Sequence, residues 1–285
     1  MKSQPLVFGP DENLVGIVSA PDGSAAHEIG IILFNSGVLP RIGPHRLNVR
    51  LAQRLADEGH LSLRFDLAGH GDSRPASGAL DYMAQSVADL RAAMDRLEAA
   101  HGIRRFALVG VCSGALSSYQ VALDDPRVAG LLMFDGYWYR TAWTRPVEYW
   151  KRFRAASWPE IIARIRGRLS RVARRASASP AAPGLFDAAE GSANPPEQQF
   201  ADGMQRLVDR GVAVCLVYSG SILDYYSYGA QLRHAFQGCD FVSRIRCEYR
   251  PDIDHVFLLR ETQSRMADLV AGWIPEVHAA GRVRS

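Results

Sequence analysis

Residues 106–120 read FALVGVCSGALSSYQ, and this stretch is the most informative about the fold class. Its first part, Phe106–Val109, is short and apolar, which is typical of a buried strand. The chain then enters GVCSG (110–114), and helix-forming residues continue to about Leu123. Glycines two residues before and after Cys112 allow neighbouring backbone to pack against a sharp turn, whose central residue usually has a positive φ. The stretch therefore predicts a strand, a tight turn and a helix, with Cys112 presented on the turn.

A cysteine in this position is a candidate nucleophile. The N-terminus of the following helix directs backbone N–H groups toward it, and these groups favour negative charge and bind an oxyanion. Two other interpretations remain. Cys112 can be a buried structural thiol, because free cysteine is among the most buried residue types. Alternatively, Ser113 is the nucleophile, although the residues two positions away from it, Val111 and Ala115, are not glycines.

Segments typical of strands and of helices alternate along the rest of the chain. This alternation predicts an α/β fold, with a mostly parallel central sheet and helices on both faces. The first two strands flank the turn residues GPDEN and are expected to form an antiparallel hairpin. The predicted strands are Leu6–Phe8, Leu14–Ser19, Ile29–Phe34, Leu61–Phe65, Phe106–Val109, Val128–Phe134, Val212–Tyr218 and Ile245–Tyr249. Besides the helix that starts within GVCSG and runs to about Leu123, the predicted helices are Arg46–Glu58, Leu80–Ala100, Gln198–Arg210, Tyr228–Phe236 and Gln263–Trp273.

The composition is that of an ordinary globular protein. Of the 285 residues, 47% are hydrophobic and 22% are charged, which excludes a wholly disordered, collagen-like or disulfide-stapled chain. The four cysteines form no C-x-x-C pair, so neither a structural zinc site nor a disulfide framework is expected. No apolar run reaches the roughly 18 residues of a transmembrane helix, and the N-terminus lacks the apolar segment of a secretory signal. We therefore expect a cytoplasmic protein without a transmembrane segment, a metal or a cofactor.

Charge is distributed unevenly along the chain. Residues 137–175 contain 11 Lys/Arg and 2 Asp/Glu, a local balance of +9 in a chain whose net charge is +3. No nucleic-acid-binding motif accompanies this basic stretch, so the predicted partners are acidic small molecules or acidic proteins rather than nucleic acid. The regular alternation also stops here. We expect a core domain of residues 1–136 and 201–285, interrupted by an inserted helical lid, residues 137–200, with a flexible Ala/Ser/Pro-rich connector at about 176–197.

The lid contains aromatic residues and a basic amphipathic segment. Tyr137, Trp138 and Trp143 are candidates for lining an acyl or aromatic pocket, or they form a small core of the lid itself. In Ile161–Arg175, apolar residues fall on one helical face and the arginines at 164, 168, 171 and 175 on another. That second face either docks the phosphates of CoA, an acidic acyl carrier protein or anionic lipid, or is a solvated surface.

At residues 66–73 the chain reads DLAGHGDS, which resembles the D-x-x-G-x-G-x-S turn after the fourth strand of the α/β-hydrolase superfamily. Together with the cysteine elbow, RIGPHR (41–46) is similar to the hydrolases found beside exosortase systems, in the serine-aminopeptidase-like branch. The resemblance covers most of the chain apart from the lid. It implies an α/β-hydrolase fold in which the nucleophile is followed by an acid and then by a histidine near the C-terminus.

The resemblance places the catalytic triad at Cys112, Asp224 and His255. His255 follows the last predicted strand, so it can reach the elbow across the C-terminal edge of the sheet. Asp224 follows the preceding strand, although the acid of this family usually lies one or two residues closer to the glycine that ends that strand. Asp254, next to the histidine, and Asp240 are the less well placed alternatives.

The resemblance also implies an oxyanion hole made of two backbone N–H groups. One belongs to Ser113, directly after the nucleophile. The other belongs to Val38, which follows Ser36-Gly37 where the family has His-Gly. Arg41 and His45 lie farther along the same loop and are candidates for contact with the substrate.

These residues predict a hydrolase that cleaves a carboxylic thioester or ester through a covalent acyl-enzyme on Cys112. Because an acyl group on a cysteine is itself a thioester, it is nearly isoenergetic with an acyl-CoA or acyl-carrier substrate, which favours thioester cleavage over amide hydrolysis. One alternative is an acyltransferase or cyclase that passes the acyl group to an acceptor other than water. The other is a non-catalytic, hydrolase-like binding protein, in which the acid and the base do not converge on Cys112.

Overall fold

The computed structural model describes residues 1–23, 28–35, 37–155 and 194–280. Within these ranges, eight strands form one sheet in the order β1-β2-β4-β3-β5-β6-β7-β8. The pairs β1–β2 and β2–β4 are antiparallel, and the remaining pairs are parallel. The strands are β1 Lys2–Phe8, β2 Leu14–Ala20, β3 Gly30–Leu33, β4 Leu61–Phe65, β5 Phe106–Val111, β6 Val128–Phe134, β7 Ala213–Ser219 and β8 Arg246–Arg250.

Helices occupy most of the connections between the strands. The α-helices are α1 Leu47–Asp57, α2 Tyr82–His101, α3 Ser113–Asp124, α4 Thr144–Ala155, α5 Glu197–Asp209, α6 Gln231–Ala235, α7 Phe241–Arg244 and α8 Arg260–Ala280, and short 3₁₀ helices span Pro44–Arg46 and Gly220–Ile222. Helix α2 begins with Asp81, whose carboxylate accepts the N–H of Ala84, and it ends at Gly102 in the left-handed conformation.

The sheet is buried on both faces. Successive residues of a strand point to opposite sides, so Leu108 of β5 packs in the cluster that includes α2, α3 and α5, while Val109 packs in the cluster that includes α1 and α8. Both side chains are at most 4% exposed. Because β5 is apolar on both faces, it occupies the centre of the sheet with helices on either side, and the turn that follows it lies at the middle of one sheet edge.

The predicted α/β-hydrolase fold is confirmed, including the opening hairpin. Helix α8 continues past its predicted end at Trp273 and through Pro275, because Ile274 and Val277 are fully buried and hold the helix on the sheet. The sequence predicts a helical lid but not the bounds of α4, since its aromatic residues give no buried stripe: Tyr149, Trp150 and Phe153 are 56–61% exposed.

The parallel strands bring several loops to one edge of the sheet. Cys112 follows β5, Asp135 follows β6, and His255 lies in the loop after β8. Residues 35 and 37–43, after β3, reach the same edge. Open α/β sheets place their sites at this carboxyl edge. In the part of the chain that the structure describes, no helix has both the length and the apolar character needed to cross a membrane.

Candidate active site

Cys112 lies on a strained turn between β5 and α3. Its backbone has φ 55° and ψ −122°, a conformation that non-glycine residues rarely adopt. The two flanking glycines are required sterically, because a Cβ on Gly110 would lie 2.5 Å from the carbonyl oxygen of Gly114. A Cβ on Gly114 would lie 2.8 Å from the carbonyl oxygen of Asn35. The Cys112 side chain is half-buried at the start of α3, which is the geometry that the elbow pattern predicts.

His255 is held at this edge by two contacts. Its Nδ1 lies 2.7 Å from Oδ2 of Asp135, and its backbone N–H donates to Oγ of Ser221 at 2.9 Å. The side chain of Cys112 also lies close enough to the imidazole to raise the pKa of His255, through a hydrogen bond and through charge. The structure therefore brings together two of the three predicted triad residues, Cys112 and His255.

The environment of His255 favours the charged imidazolium. Burial alone would lower the pKa of His255, since it removes water from the charged form. The hydrogen bond to Asp135 and the hydrogen bond and charge interaction with Cys112 outweigh burial, and together they raise the pKa of His255 to about 10. A raised pKa on this histidine favours a proton held between the imidazole and the thiol, as in a thiolate–imidazolium pair.

The acid beside His255 is Asp135. Its side chain is only 1% exposed, and its backbone, at φ 48°, is in the left-handed region. The backbone N–H of Asp135 donates to the carbonyl of Val217, and its Oδ1 accepts the N–H of Ser219 at 2.7 Å. One carboxylate oxygen is thus fixed by β7, and the other is directed at His255.

The structure corrects the expectation that Asp224 orients His255. Asp224 forms an ion pair with Arg152 of α4 and is 53% exposed, while its backbone carbonyl accepts from Nε of Arg140 at 3.2 Å. Its carboxylate also contacts Glu148, whose pKa is raised first by burial and then by this contact. The carboxylate of Asp224 therefore pairs with α4 and not with the imidazole of His255.

The other acidic candidates are also engaged elsewhere. Asp254 accepts the N–H groups of Val256 and Leu258, both at 3.1 Å, and so shapes its own loop. Asp240 pairs with Arg244 at 3.1 Å. The sequence does contain a signal for Asp135. This aspartate directly follows VAGLLMF (128–134), the predicted strand that comes after the elbow strand and its helix.

The predicted oxyanion-hole residues lie at the ends of two adjacent loops. Ser113 is the first residue of α3, where backbone N–H groups have no partner within the helix. Val38 lies in the loop after β3, and its side chain is 84% exposed. Within the described ranges, no acceptor is found for the Val38 N–H. The N–H of Gly37, by contrast, donates to Oγ of Ser113 at 2.8 Å, so the two loops are hydrogen-bonded to each other.

Arg41 is part of the scaffold rather than of an open binding surface. Its guanidinium pairs with Asp66 and, at 2.7 Å, with Asp72, and only 17% of its side chain is exposed. The structure therefore gives Arg41 a role in joining these loops, and its contact with a substrate stays a prediction. His45, the other candidate on this loop, is exposed and has φ 46°.

The predicted lid aromatics have three different environments. Tyr137 is 7% exposed, and its ring packs edge-on against Tyr119 of α3, with centroids 5.6 Å apart. Trp138 lies on Tyr225 with centroids 4.1 Å apart. Trp143 is 63% exposed. Tyr137 and Trp138 therefore pack the segment after β6 against Tyr119 and Tyr225. The arginines at 164, 168, 171 and 175 and most of the predicted connector lie outside the described residues.

Among residues 1–23, 28–35, 37–155 and 194–280, no group of three or more His, Cys, Asp or Glu side chains is arranged to hold a metal ion. The cysteines at 112, 215, 239 and 247 are free thiols. The chemistry that the described site can perform is that of a thiol, an imidazole and a carboxylate next to backbone N–H donors.

Comparisons with known proteins give a match to one family. Residues 38–183 match the sequence model of the serine aminopeptidase family S33. No curated protein sequence matches the chain at a significant level.

Solved structures with the same fold cover nearly the whole chain. An α/β serine hydrolase without a lid, from Xanthomonas campestris, has a TM-score of 0.57 at 14% identity, covering 96% of this chain and 94% of its own. A Pyrococcus furiosus esterase has a TM-score of 0.58 at 14% identity, covering 95% and 91%. A Mycobacterium smegmatis proline iminopeptidase has a TM-score of 0.53 at 16% identity, covering 98% and 100%. At these identities the similarity establishes the fold.

Proposed function

The chain belongs to the serine aminopeptidase S33 family of α/β hydrolases, and from this premise we propose that it cleaves a carboxylic thioester or ester through a triad of Cys112, His255 and Asp135. The observation that carries the proposal is the position of His255, which contacts the carboxylate of Asp135 at 2.7 Å and the side chain of Cys112. Nucleophile, base and orienting acid thus form one hydrogen-bonded series, as nucleophilic catalysis requires.

The reaction begins with attack by the Cys112 sulfur on the carbonyl carbon. The carboxylate of Asp135 accepts a hydrogen bond from Nδ1–H of His255, which leaves Nε2 to take the proton of the thiol. The N–H groups of Val38 and Ser113 stabilise the oxyanion of the tetrahedral intermediate. His255 then donates its proton to the leaving thiolate or alkoxide, and an acyl-thioester remains on Cys112.

The second half of the reaction releases the acyl group. Once Cys112 is acylated, its sulfur no longer makes the interactions that help raise the pKa of His255, so that pKa falls. The neutral imidazole can then accept a proton from water as the water attacks the acyl-thioester. The thiol is regenerated, and the carboxylic acid leaves.

A cysteine nucleophile favours an activated acyl donor. The acyl-enzyme is a thioester, so its formation from another thioester is nearly neutral in energy, whereas its formation from an amide is uphill. We therefore propose acyl-CoA or an acylated carrier protein as the substrate class. The excess of 11 Lys/Arg over 2 Asp/Glu in residues 137–175 supports an acidic donor of this kind. The thiol must stay reduced, which suits a cytoplasmic location.

Acyl transfer to an acceptor other than water would use the same residues and differ only in the second step. The non-catalytic alternative is less well supported, because it requires that acid and base do not converge on Cys112. Contacts of Asp135 and Cys112 with the same imidazole argue against that condition.

Intact-mass spectrometry tests the proposal directly. The protein is mixed with p-nitrophenyl acetate, p-nitrophenyl octanoate, acetyl-CoA or octanoyl-CoA, and quenched over time. We expect an added acyl mass on Cys112, no such adduct in Cys112→Ala, and decay of the adduct in buffer. An adduct that persists in water but disappears when an amine or thiol acceptor is added would identify a transferase. Absence of both adduct and turnover with all four donors would refute acyl chemistry at this site.

A further inference from the structure

The side chain of Ser113 connects the elbow to the loop that precedes Val38. Its Oγ accepts the backbone N–H of Gly37 at 2.8 Å, across 76 positions of sequence. The proposed mechanism uses only the backbone N–H of Ser113. The hydrogen bond to the hydroxyl is therefore separate from the role of the backbone N–H of Ser113.

Other side chains hold the two ends of this loop. Asn35 is 1% exposed; its Oδ1 accepts the N–H of Leu67 at 2.6 Å, and its Nδ2 donates to the carbonyl of Leu39. The carboxylate of Asp66 accepts the N–H of Arg41. These contacts fix where the loop begins and ends, but they do not fix the peptide at its centre.

The centre of the loop has little packing to hold it. Gly37 has φ +55°, and a Cβ built on it would meet no described heavy atom within 4 Å. Among the contacts of the described residues, the hydrogen bond to Ser113 Oγ is the one that engages the N–H of Gly37 directly.

We infer that the hydroxyl of Ser113 is a positioning residue for the oxyanion hole. By accepting the N–H of Gly37, it removes that group from the hole and orients the next peptide, so that the N–H of Val38 is the one presented to the oxyanion. The inference rests on the proposed acyl chemistry at Cys112. It states that the side chain of Ser113 determines which of two neighbouring N–H groups, that of Gly37 or that of Val38, binds the oxyanion.

The test compares two reactions of Cys112 in wild type and in Ser113→Ala. Acylation by p-nitrophenyl acetate passes through an oxyanion, whereas alkylation by iodoacetamide does not. Removing an oxyanion donor costs 10²- to 10³-fold in other enzymes, and displacing one should cost less. We expect the acylation rate of Ser113→Ala to fall about 10- to 100-fold. The rate of Cys112 alkylation, followed by mass spectrometry of its peptide, should stay within about twofold.

Two further variants serve as controls. Ser118→Ala makes the same substitution on the same helix at a buried hydroxyl for which the described residues provide no hydrogen-bond partner, and it should acylate like wild type. Ser113→Thr keeps an Oγ acceptor and should recover most of the acylation rate. Equal acylation rates in Ser113→Ala and wild type would overturn the inference. So would an equal fall in acylation and alkylation, because the hydroxyl would then act on the thiol or imidazole.

Amide hydrogen exchange provides a readout that does not depend on activity. In wild type the Gly37 amide should be protected by its bond to Ser113, and the protection should be lost in Ser113→Ala but kept in Ser118→Ala. Unchanged protection in Ser113→Ala would overturn the inference even if the rate falls. If wild type shows the protection but is never acylated, then the acyl chemistry is wrong and the oxyanion role of Ser113 falls with it, whereas the hydrogen bond itself stands.

Discussion

The carboxylate of Asp135, at the end of β6, is shared between the backbone N–H of Ser219, at the end of β7, and the imidazole of His255, with both contacts at 2.7 Å. Two adjacent strands therefore determine the direction of the base. A carboxylate with a backbone donor on one oxygen has little rotational freedom, so its second oxygen can hold one tautomer of the histidine.

Asp135→Asn should lower the acylation rate of Cys112 far more than Asp224→Asn does. An amide in place of this carboxylate stabilises the wrong tautomer and no longer stabilises the imidazolium, a change that costs about 10⁴-fold in serine proteases. Because a cysteine needs less assistance than a serine, we expect a loss of about 10²- to 10³-fold. Asp224→Asn should stay within about threefold, since its carboxylate pairs with Arg152. Stopped-flow release of p-nitrophenol measures both, and a larger loss in Asp224→Asn would reassign the acid.

The sequence predicts those parts of the site whose conformation is determined by residues nearby in the chain. The turn at Cys112 is predictable, because the glycines that permit it are two residues away and the strand and helix adjoin it. The choice of acid is not. Asp135 and Asp224 both follow strands, and what separates them is a backbone donor 84 residues from Asp135 and an arginine on a helix that has no apolar stripe.

Arg41 illustrates the same limit. A loop arginine near a predicted site is compatible with a substrate role, and its partners Asp66 and Asp72 lie in another loop. Only the pairing of β3 with β4 brings these loops together. The fold class, in contrast, follows from the repeated apolar segments, each of which is informative by itself.

Arg41→Met should reduce stability rather than simply weaken substrate binding. The carboxylate of Asp66 is fully buried, and removal of one partner from a buried ion pair typically costs 3–5 kcal/mol. We expect the free energy of unfolding, measured by urea titration, to fall by roughly 3 kcal/mol. Arg46→Met, at an exposed position of the same loop, is the matched control and should change it by less than about 0.5 kcal/mol. A stable Arg41→Met protein with a raised KM would restore the binding role.

The protonation of His255 should be visible well above neutral pH. With its pKa raised to about 10, both ring nitrogens should carry protons at pH 8 in a ¹H–¹⁵N spectrum of the imidazole. Cys112→Ala and Asp135→Asn should each lower the pKa of His255, since each removes one interaction with the cation. An imidazole that is neutral at pH 8 in wild type would contradict the hydrogen-bonded arrangement.

The same pKa predicts how stability depends on pH. A histidine whose folded pKa lies above its ordinary value stabilises the fold below pH 6.5, and this contribution is lost as pH rises through the folded pKa. To isolate the effect of Asp135, the measurement uses Cys112→Ala. Its free energy of unfolding should decline above pH 6.5 by at most about 1.4 kcal/mol per pH unit. Adding His255→Asn should remove that decline, and a decline of the same slope in the double variant would assign it to other groups.

Cys112→Ser should separate the chemistry of the thiol from the geometry of the turn. The hydroxyl fits the same elbow, but it is far less acidic and needs stronger base assistance. We expect hydrolysis of octanoyl-CoA to be lost and some hydrolysis of p-nitrophenyl acetate to remain, with the thermal midpoint within a few degrees of wild type. Cys112→Ala, equally stable and inactive on both substrates, is the control. Equal rates for Cys112→Ser and wild type on both substrates would show that the thiol has no special role.

The basic lid should determine which substrates bind rather than how fast they react. Residues 137–175 carry +9 in a chain of net charge +3. If the arginines at 168 and 171 contact the phosphates of CoA, then Arg168→Glu combined with Arg171→Glu should raise KM for octanoyl-CoA at least tenfold. Turnover of neutral p-nitrophenyl octanoate should barely change, because the acyl chemistry occurs at Cys112 and His255 in the core. A second double variant, Arg91→Glu with Arg96→Glu on α2, changes the net charge equally outside the lid and is the matched control.

The dependence of KM on salt concentration tests whether the arginines of the predicted lid contact the substrate. Exposed charges are screened beyond about 10 Å at 0.1 M ionic strength, so the difference in KM between wild type and the lid variant should shrink as NaCl is raised. The α2 variant should show little difference from wild type at any salt concentration. If both variants raise KM for octanoyl-CoA equally, then the effect comes from net charge and not from the lid. If neither variant does so, the lid arginines are a solvated surface, and the substrate class moves from CoA thioesters toward neutral esters.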